Sequence, residues 1–213
     1  MEIEKIIKIV ESRLSEKRFH HSKCVMERCE QIAKQVKYDV EIAKQVGIAH
    51  DIAKEIPNEE KLEYVKTNKI EIDEIELNNP TLLHAKIGAD ISIKEFGFSE
   101  DMAKAIRAHT TGIENMSILD KILFIADRTS CERGFPDIEY LNGLLEKNID
   151  EAVLYIFDKK ITLQIEKKAQ MHPDTIIARN WLLKNMEWYL LFNYTVPQKC
   201  RGFEMEVIWD LYI

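Results

Sequence analysis

The chain has 213 residues, of which 46% are hydrophobic and 31% charged, with a net charge of −7. A chain of this length buries a core without disulfides or a structural metal, so a metal site in it is free to be catalytic. The acidic balance argues against a nucleic-acid binder working through a broad basic face; a small phosphorylated substrate stays compatible, because bound cations supply local positive charge.

The first fourteen residues interrupt their apolar run with charges, so neither a signal peptide nor a membrane span is expected. Ile3, Ile6, Ile7 and Val10 line one face of a first helix. Val25, Cys29, Ile32, Ala33 and Val36 mark a second, with His21 at its beginning. Ile42, Val46, Ala49 and Ala53 mark a third, stopped before Pro57. A polar stretch follows, with a short helix expected near 59–66. Pro80 starts the next helix, capped by Asn79, carrying Leu83, Ile87 and Ile91 and ending near Gly97. Ser99 starts another, with acids in its first turn and a stop at Gly112. Ser117 caps a helix through Leu119, Ile122, Leu123 and Ala126. A loop around Arg133–Pro136 leads to two more helices, near 149–169 and 174–192. No alternating strand precedes residue 200, so the expected class is all-α. Residues 1–192 read as one domain and 193–213 as a tail of different character. Cys24, Cys29, Cys131 and Cys200 include no CxxC pair and are expected to be unpaired thiols of a reducing cytoplasm.

Several polar residues sit where this pattern has no need of them. On a helix, His50 stands at the edge of the apolar stripe, with Asp51 about 100° further round. Lys54 is one turn on. His84 neighbours Leu83 and Ile87, and His109 shares a face with Met102, Ala105 and Ile106. Asp127 ends a very apolar run, where a carboxylate is costly unless paired or metal-bound. Any one of these alone reads as a boundary residue or a helix-end salt bridge. As a set, four histidines and two aspartates exceed one tetrahedral site and suit two cations sharing a carboxylate.

The order His21, His50-Asp51, His84, His109, Asp127 resembles the HD-domain superfamily of metal phosphohydrolases, an all-helical fold. Arg18-Phe19-His20-His21-Ser22, His50-Asp51-Ile52-Ala53-Lys54, Leu83-His84-Ala85, the run Ala105–Gly112, Ile125-Ala126-Asp127-Arg128 and Arg133-Gly134-Phe135-Pro136 narrow the likeness. Together they resemble the YqeK family of symmetrical diadenosine-tetraphosphate hydrolases over about residues 1–185. The first family histidine falls on His21, which leaves His20 a variable position.

The resemblance implies an HD-domain helical bundle and a divalent metal cofactor, two iron ions. His21, His50 and Asp127 would hold one ion, His84 and His109 the other, with Asp51 bridging. It implies cleavage of diadenosine tetraphosphate to two ADP, with Asp51 and Lys54 in catalytic roles. Arg18, Arg128 and Arg133 are candidate phosphate contacts. Thr110, Thr111 and Gly112 are candidates for holding phosphate or nucleoside, and Phe135 for stacking on a base. The expected partner is a small dinucleoside polyphosphate or nucleotide, with no nucleic acid and no membrane, in a cytoplasmic protein for which a homodimer is permitted. Two rivals stay open: another HD-type phosphohydrolase for nucleotides or cyclic dinucleotides, and a metal-stabilised nucleotide-binding protein without turnover.

Overall fold

The computed structural model describes residues 1–193, and the side chains of residues 1–186. Among the described residues the fold is all-helical: α1 (Ile3–Arg13), α2 (Glu16–Val36), α3 (Val40–Ala49), α4 (Asn58–Thr67), α5 (Glu74–Asn78), α6 (Leu83–Ile91), α7 (Glu100–Ala108), α8 (Ile118–Thr129), α9 (Ile138–Lys147), α10 (Ile149–Glu166) and α11 (Pro173–Asn193). Short polar side chains set the starts. Ser15 accepts from the Arg18 amide, Asp39 from Ile42 and Ser99 from Met102, and Ser117 forms a reciprocal capping box with Asp120. The tail expected from residue 193 onward lies, beyond that residue, outside the described residues, as does Cys200.

The centre of the bundle is α2, α3, α7 and α8, with α6 against α7 and α10 against α8. Val25, Ile32, Val46, Ile48, Ile106, Ile122 and Phe124 are fully buried there, each contributing about 1.5–3 kcal/mol of hydrophobic stabilisation. The Phe124 and Phe157 rings, 4.6 Å apart, fix α10 onto α8. Gly47 lets α2 and α3 close on one another. A Cβ at that position would lie 2.9 Å from the Met26 Cα and 3.1 Å from the Cys29 Sγ.

Four expectations are corrected. The third helix ends at Ala49, and residues 50–55 continue as turns closed by Ile52 N to Ala49 O (3.0 Å) and Lys54 N to Asp51 O (2.8 Å). These turns wind in the helical sense, so Ala53 keeps the apolar spacing without belonging to the helix. His21 stands a turn and a half inside α2, because Ser15 rather than a later residue caps it. Asn79 occupies its cap position, but it makes no side-chain cap bond. Cys24 and Cys131, 107 residues apart in sequence, form a disulfide between α2 and the 3-10 turn Cys131–Arg133, where unpaired thiols were expected; only Cys29, among the described cysteines, is free. The short α5 and α9 had no place in the sequence reading; α5 is too short to show a periodicity, whereas α9 carries Ile138, Leu141 and Leu145 at helical spacing and was overlooked.

Gly47→Ala gains about 0.5–1 kcal/mol of helix propensity. It also drives a methyl group into main chain, an overpacking cost of about 1–3 kcal/mol. The second effect wins, so chemical denaturation should show a net loss of about 1–2 kcal/mol. Unchanged stability would mean that α2 and α3 have room to part.

Candidate metal centre

Five helices end or turn at one point. α2 brings His21, the turn after α3 brings His50 and Asp51, and the first turn of α6 brings His84. The residue after α7 is His109, and the last turn of α8 carries Asp127. All six side chains are buried, from 0% exposure at His50 to 5% at His21. Asp51 lies in the middle. Its Oδ1 is 3.3 Å from His84 Nε2 and 3.6 Å from His109 Nε2. Its Oδ2 is 3.6 Å from His50 Nε2 and 3.8 Å from His21 Nε2. Asp127 Oδ1 joins the second group, 3.2 Å from His21 Nε2 and 3.7 Å from His50 Nε2.

The orientation of the rings has a local cause. His50, His84 and His109 each donate Nδ1–H to the carbonyl three residues earlier, at Gly47 (2.8 Å), Thr81 (2.5 Å) and Ile106 (2.6 Å). A carbonyl can only accept, so the proton is on Nδ1 and the Nε2 lone pair faces the centre. His21 lies mid-helix, where the preceding carbonyls are already engaged, and uses the Glu132 carboxylate instead. An outer acceptor on each imidazole is the usual support of a metal-binding histidine.

Bare imidazole nitrogens therefore face carboxylate oxygens, acceptor against acceptor. A proton or a cation between them relieves this arrangement. Burial pushes His50 down to about 4 and lowers His84 and His109, so protons are disfavoured there at neutral pH. At His21 burial acts the same way, but the hydrogen bonds its ring donates to Asp127 and Glu132 outweigh it and raise the group. Burial alone would raise Asp51 and Asp127. The imidazoles around Asp51, and Arg128 and His21 beside Asp127, hold both well below the usual carboxylate range. His50 Nε2 and Asp51 Oδ1 are buried without a hydrogen-bond partner, a costly state for polar atoms. Neutral nitrogen donors and ionised carboxylates converging in this way fit a divalent cation.

Residues 18–131, which include the whole constellation, match the HD domain family. The chain belongs to the HD-domain family. It is an HD-domain phosphohydrolase homologous to the symmetrical bis(5'-nucleosyl)-tetraphosphatases. The protein of that name from Bacillus subtilis (strain 168) is 30% identical over 184 residues, covering 86% of this chain and 98% of its own. Its namesake from Halalkalibacterium halodurans is 34% identical over 180 residues, covering 84% and 96%. A crystal structure from Clostridium acetobutylicum, described as a predicted HD superfamily hydrolase involved in NAD metabolism, superposes with a TM-score of 0.82 at 34% identity, covering 87% of this chain and 98% of that one.

The other residues singled out from the HD-domain sequence divide into two groups. Arg18 is 3.0 Å from Asp51 Oδ2, Arg133 Nη2 is 2.7 Å from Asp127 Oδ1, and Arg128 pairs with Asp127 Oδ2. Lys54 Nζ is 3.0 Å from His84 Nε2 and 3.9 Å from Asp51 Oδ1. The Thr110 hydroxyl is 3.1 Å from His109 Nε2. These rim the centre. Thr111 bonds the Gly112 carbonyl, and Gly112, at φ +78°, ends the turn after α7 against Phe157. Phe135 packs on the core and lines a separate depression with Lys159 and Leu163. Sequence reasoning missed Glu132, Thr81 and Lys160. Of these, only Glu132 carried a signal, as an acid five residues after Asp127 in the Arg133 loop.

With Glu132 replaced by alanine, burial at His21 is opposed by Asp127 alone. In the metal-free protein the His21 pKa should fall, as read by a histidine NMR titration. A value that stays or rises would remove Glu132 from this role.

Proposed function

We propose that the chain hydrolyses diadenosine tetraphosphate symmetrically to two ADP, at two iron ions held by the buried constellation. The observation that carries this reading is the division of Asp51, with a pair of imidazole Nε2 atoms facing each carboxylate oxygen. His21, His50 and Asp127 would hold one ion, His84 and His109 the other, and Asp51 would be shared. Iron is assigned by resemblance, and the mixed imidazole and carboxylate set is compatible with it. The ions, when bound, supply Lewis acidity that activates water and offsets charge on the reacting phosphoryl group.

The chain's own residues do the rest. Arg18, Arg128 and Arg133 present guanidinium forks at the rim, suited to phosphate oxygens. The Thr110 hydroxyl points at the same edge. Lys54 is the candidate proton donor to the departing ADP oxygen. Burial lowers its ammonium from the ordinary lysine value, which makes the proton easier to release. The substrate class, a small dinucleotide rather than a nucleic acid, accords with a net charge of −7 and carries a cytoplasmic assignment with it. No described helix is long and apolar enough to cross a membrane.

Anaerobically purified protein should contain iron and convert diadenosine tetraphosphate to two ADP, one of them carrying ¹⁸O from labelled water. AMP plus ATP as products would sink the symmetrical reading. His50→Ala and Asp51→Ala should lose both metal and activity while helical circular dichroism persists. Full activity in metal-stripped Asp51→Ala would rule the site out.

Lys54→Met should keep its metal and lose roughly 10²–10⁴-fold in kcat, the range of a general acid. A loss confined to KM would make Lys54 a binding residue instead.

A further inference from the structure

Cys24 stands one turn after His21 on α2, and Cys131 begins the 3-10 turn Cys131–Arg133. The disulfide between them therefore ties that turn to the helix that carries His21. The two residues after Cys131 both reach the centre. Glu132 accepts from the His21 ring, and Arg133 Nη2 is 2.7 Å from Asp127 Oδ1. The Ser130 hydroxyl, 2.9 Å from Glu132 Oε1, steadies the carboxylate from its own side.

The main chain of the turn is held only locally. The Arg133 amide bonds the Ser130 carbonyl at 2.9 Å, and the Ile138 amide bonds the Phe135 carbonyl at 3.3 Å. Among the described residues no main-chain hydrogen bond joins 131–136 to α2. The disulfide and the side chains of Glu132 and Arg133 make that link. The two sulfurs also differ in access. Cys24 is buried, whereas Cys131 is exposed beside a depression of about 190 Å³ shared with Arg28 and Ile138. Thiol–disulfide exchange depends on which sulfur an incoming thiolate can reach, and here it is that of Cys131.

We propose that the Cys24–Cys131 pair is a redox modification site that controls the hold of His21 on its metal ion. As the disulfide it keeps Glu132 against His21. As two thiols it frees the turn, and His21 loses the acceptor that aims its ring. The inference rests on reading the buried constellation as a two-ion centre, in which only one ion has His21 as a ligand. Loss of an outer acceptor of a metal-binding histidine typically weakens the metal about 10–100-fold.

The reductant is a dithiol. One of its thiolates attacks the Cys131 sulfur, the bond between the two sulfurs breaks, and Cys24 leaves with the electron pair as a thiolate. Cys24 then takes a proton from solvent, next to the His20 ring nitrogen 3.7 Å from its sulfur. The second thiol of the reductant attacks the mixed disulfide and releases Cys131, which is protonated in turn. Two electrons and two protons have passed to the chain, and the reductant has become its own disulfide.

The test uses the full-length, iron-loaded protein, kept oxidised or reduced anaerobically with dithiothreitol that is then removed. Reduction is verified by a mass gain of about 2 Da. Transfer of iron to a ferrous chelator should become at least tenfold faster for one ion and stay within threefold for the other. Cys131→Ser should release iron as the reduced protein does, with or without dithiothreitol. Glu132→Ala, oxidised, should also release one ion faster, and reducing it should add less than threefold, because both changes remove the same contact. Release within threefold of the oxidised protein after verified reduction overturns the proposal. So does equal acceleration of both ions, or a full effect of reduction in Glu132→Ala, since a crosslink that merely stiffens the fold would give either. Should Cys131→Ser fail to fold, reduction of the wild type decides alone. Protein that binds no iron sinks the two-ion reading, and the coupling is then read on the metal-free chain. There the His21 ring resonance should shift on reduction while those of His84 and His109 stay; an unmoved His21 overturns the proposal.

Discussion

The burial of the Asp51 carboxylate is the constraint that organises this molecule. Removing an ionised carboxylate from water costs several kcal/mol even after relaxation. Here its oxygens face four imidazole nitrogens, three of them bare lone pairs, which do not repay that cost by themselves. Only positive charge does. The fold is arranged so that five helical segments deliver neutral donors to that one spot, and so that arginines and lysines stand just outside it. Gly47 serves both sides of this arrangement. Its missing side chain allows α2 onto α3, and its carbonyl orients His50.

Charge at the centre runs against charge in the chain as a whole. A protein of net charge −7 gathers Arg18, Lys54, Arg128 and Arg133 around two carboxylates, and Lys160 a little further out. Net charge speaks to solubility and encounter with other polymers, not to the local field of a site. The acidic balance argued against a broad basic face, yet it gave no hint that the buried carboxylates are ringed by cationic side chains.

Much of the fold was legible because its signals are local. Ser99 and Ser117 start helices by accepting from an amide three residues on, and the apolar spacing of Val25, Cys29 and Ile32 repeats over several turns. The order of histidines and aspartates was legible for a different reason: each sits beside apolar neighbours where a polar group needs a purpose. The end of α3 was not legible, since the turns at 50–55 preserve helical spacing while changing the hydrogen bonds from four residues to three. The Cys24–Cys131 bond and the convergence of Lys160 on Thr110 join residues 107 and 50 positions apart. No spacing rule in the sequence reaches across such distances. Lys160 in particular looks like any lysine on the polar face of a long helix until α11 and the 110–111 turn close over it.

Three of the four imidazoles that face Asp51 are aimed by main-chain carbonyls, at Gly47, Thr81 and Ile106. Substitution at those three positions leaves the acceptor in place, so the aim of His50, His84 and His109 is insulated from side-chain change. His21 is aimed by a side chain, and that side chain belongs to the turn stapled to α2 through Cys131. The centre thus has three fixed bearings and one adjustable one. A lineage that needs to retune His21 while keeping every residue around Asp51 has position 132 as the accessible dial.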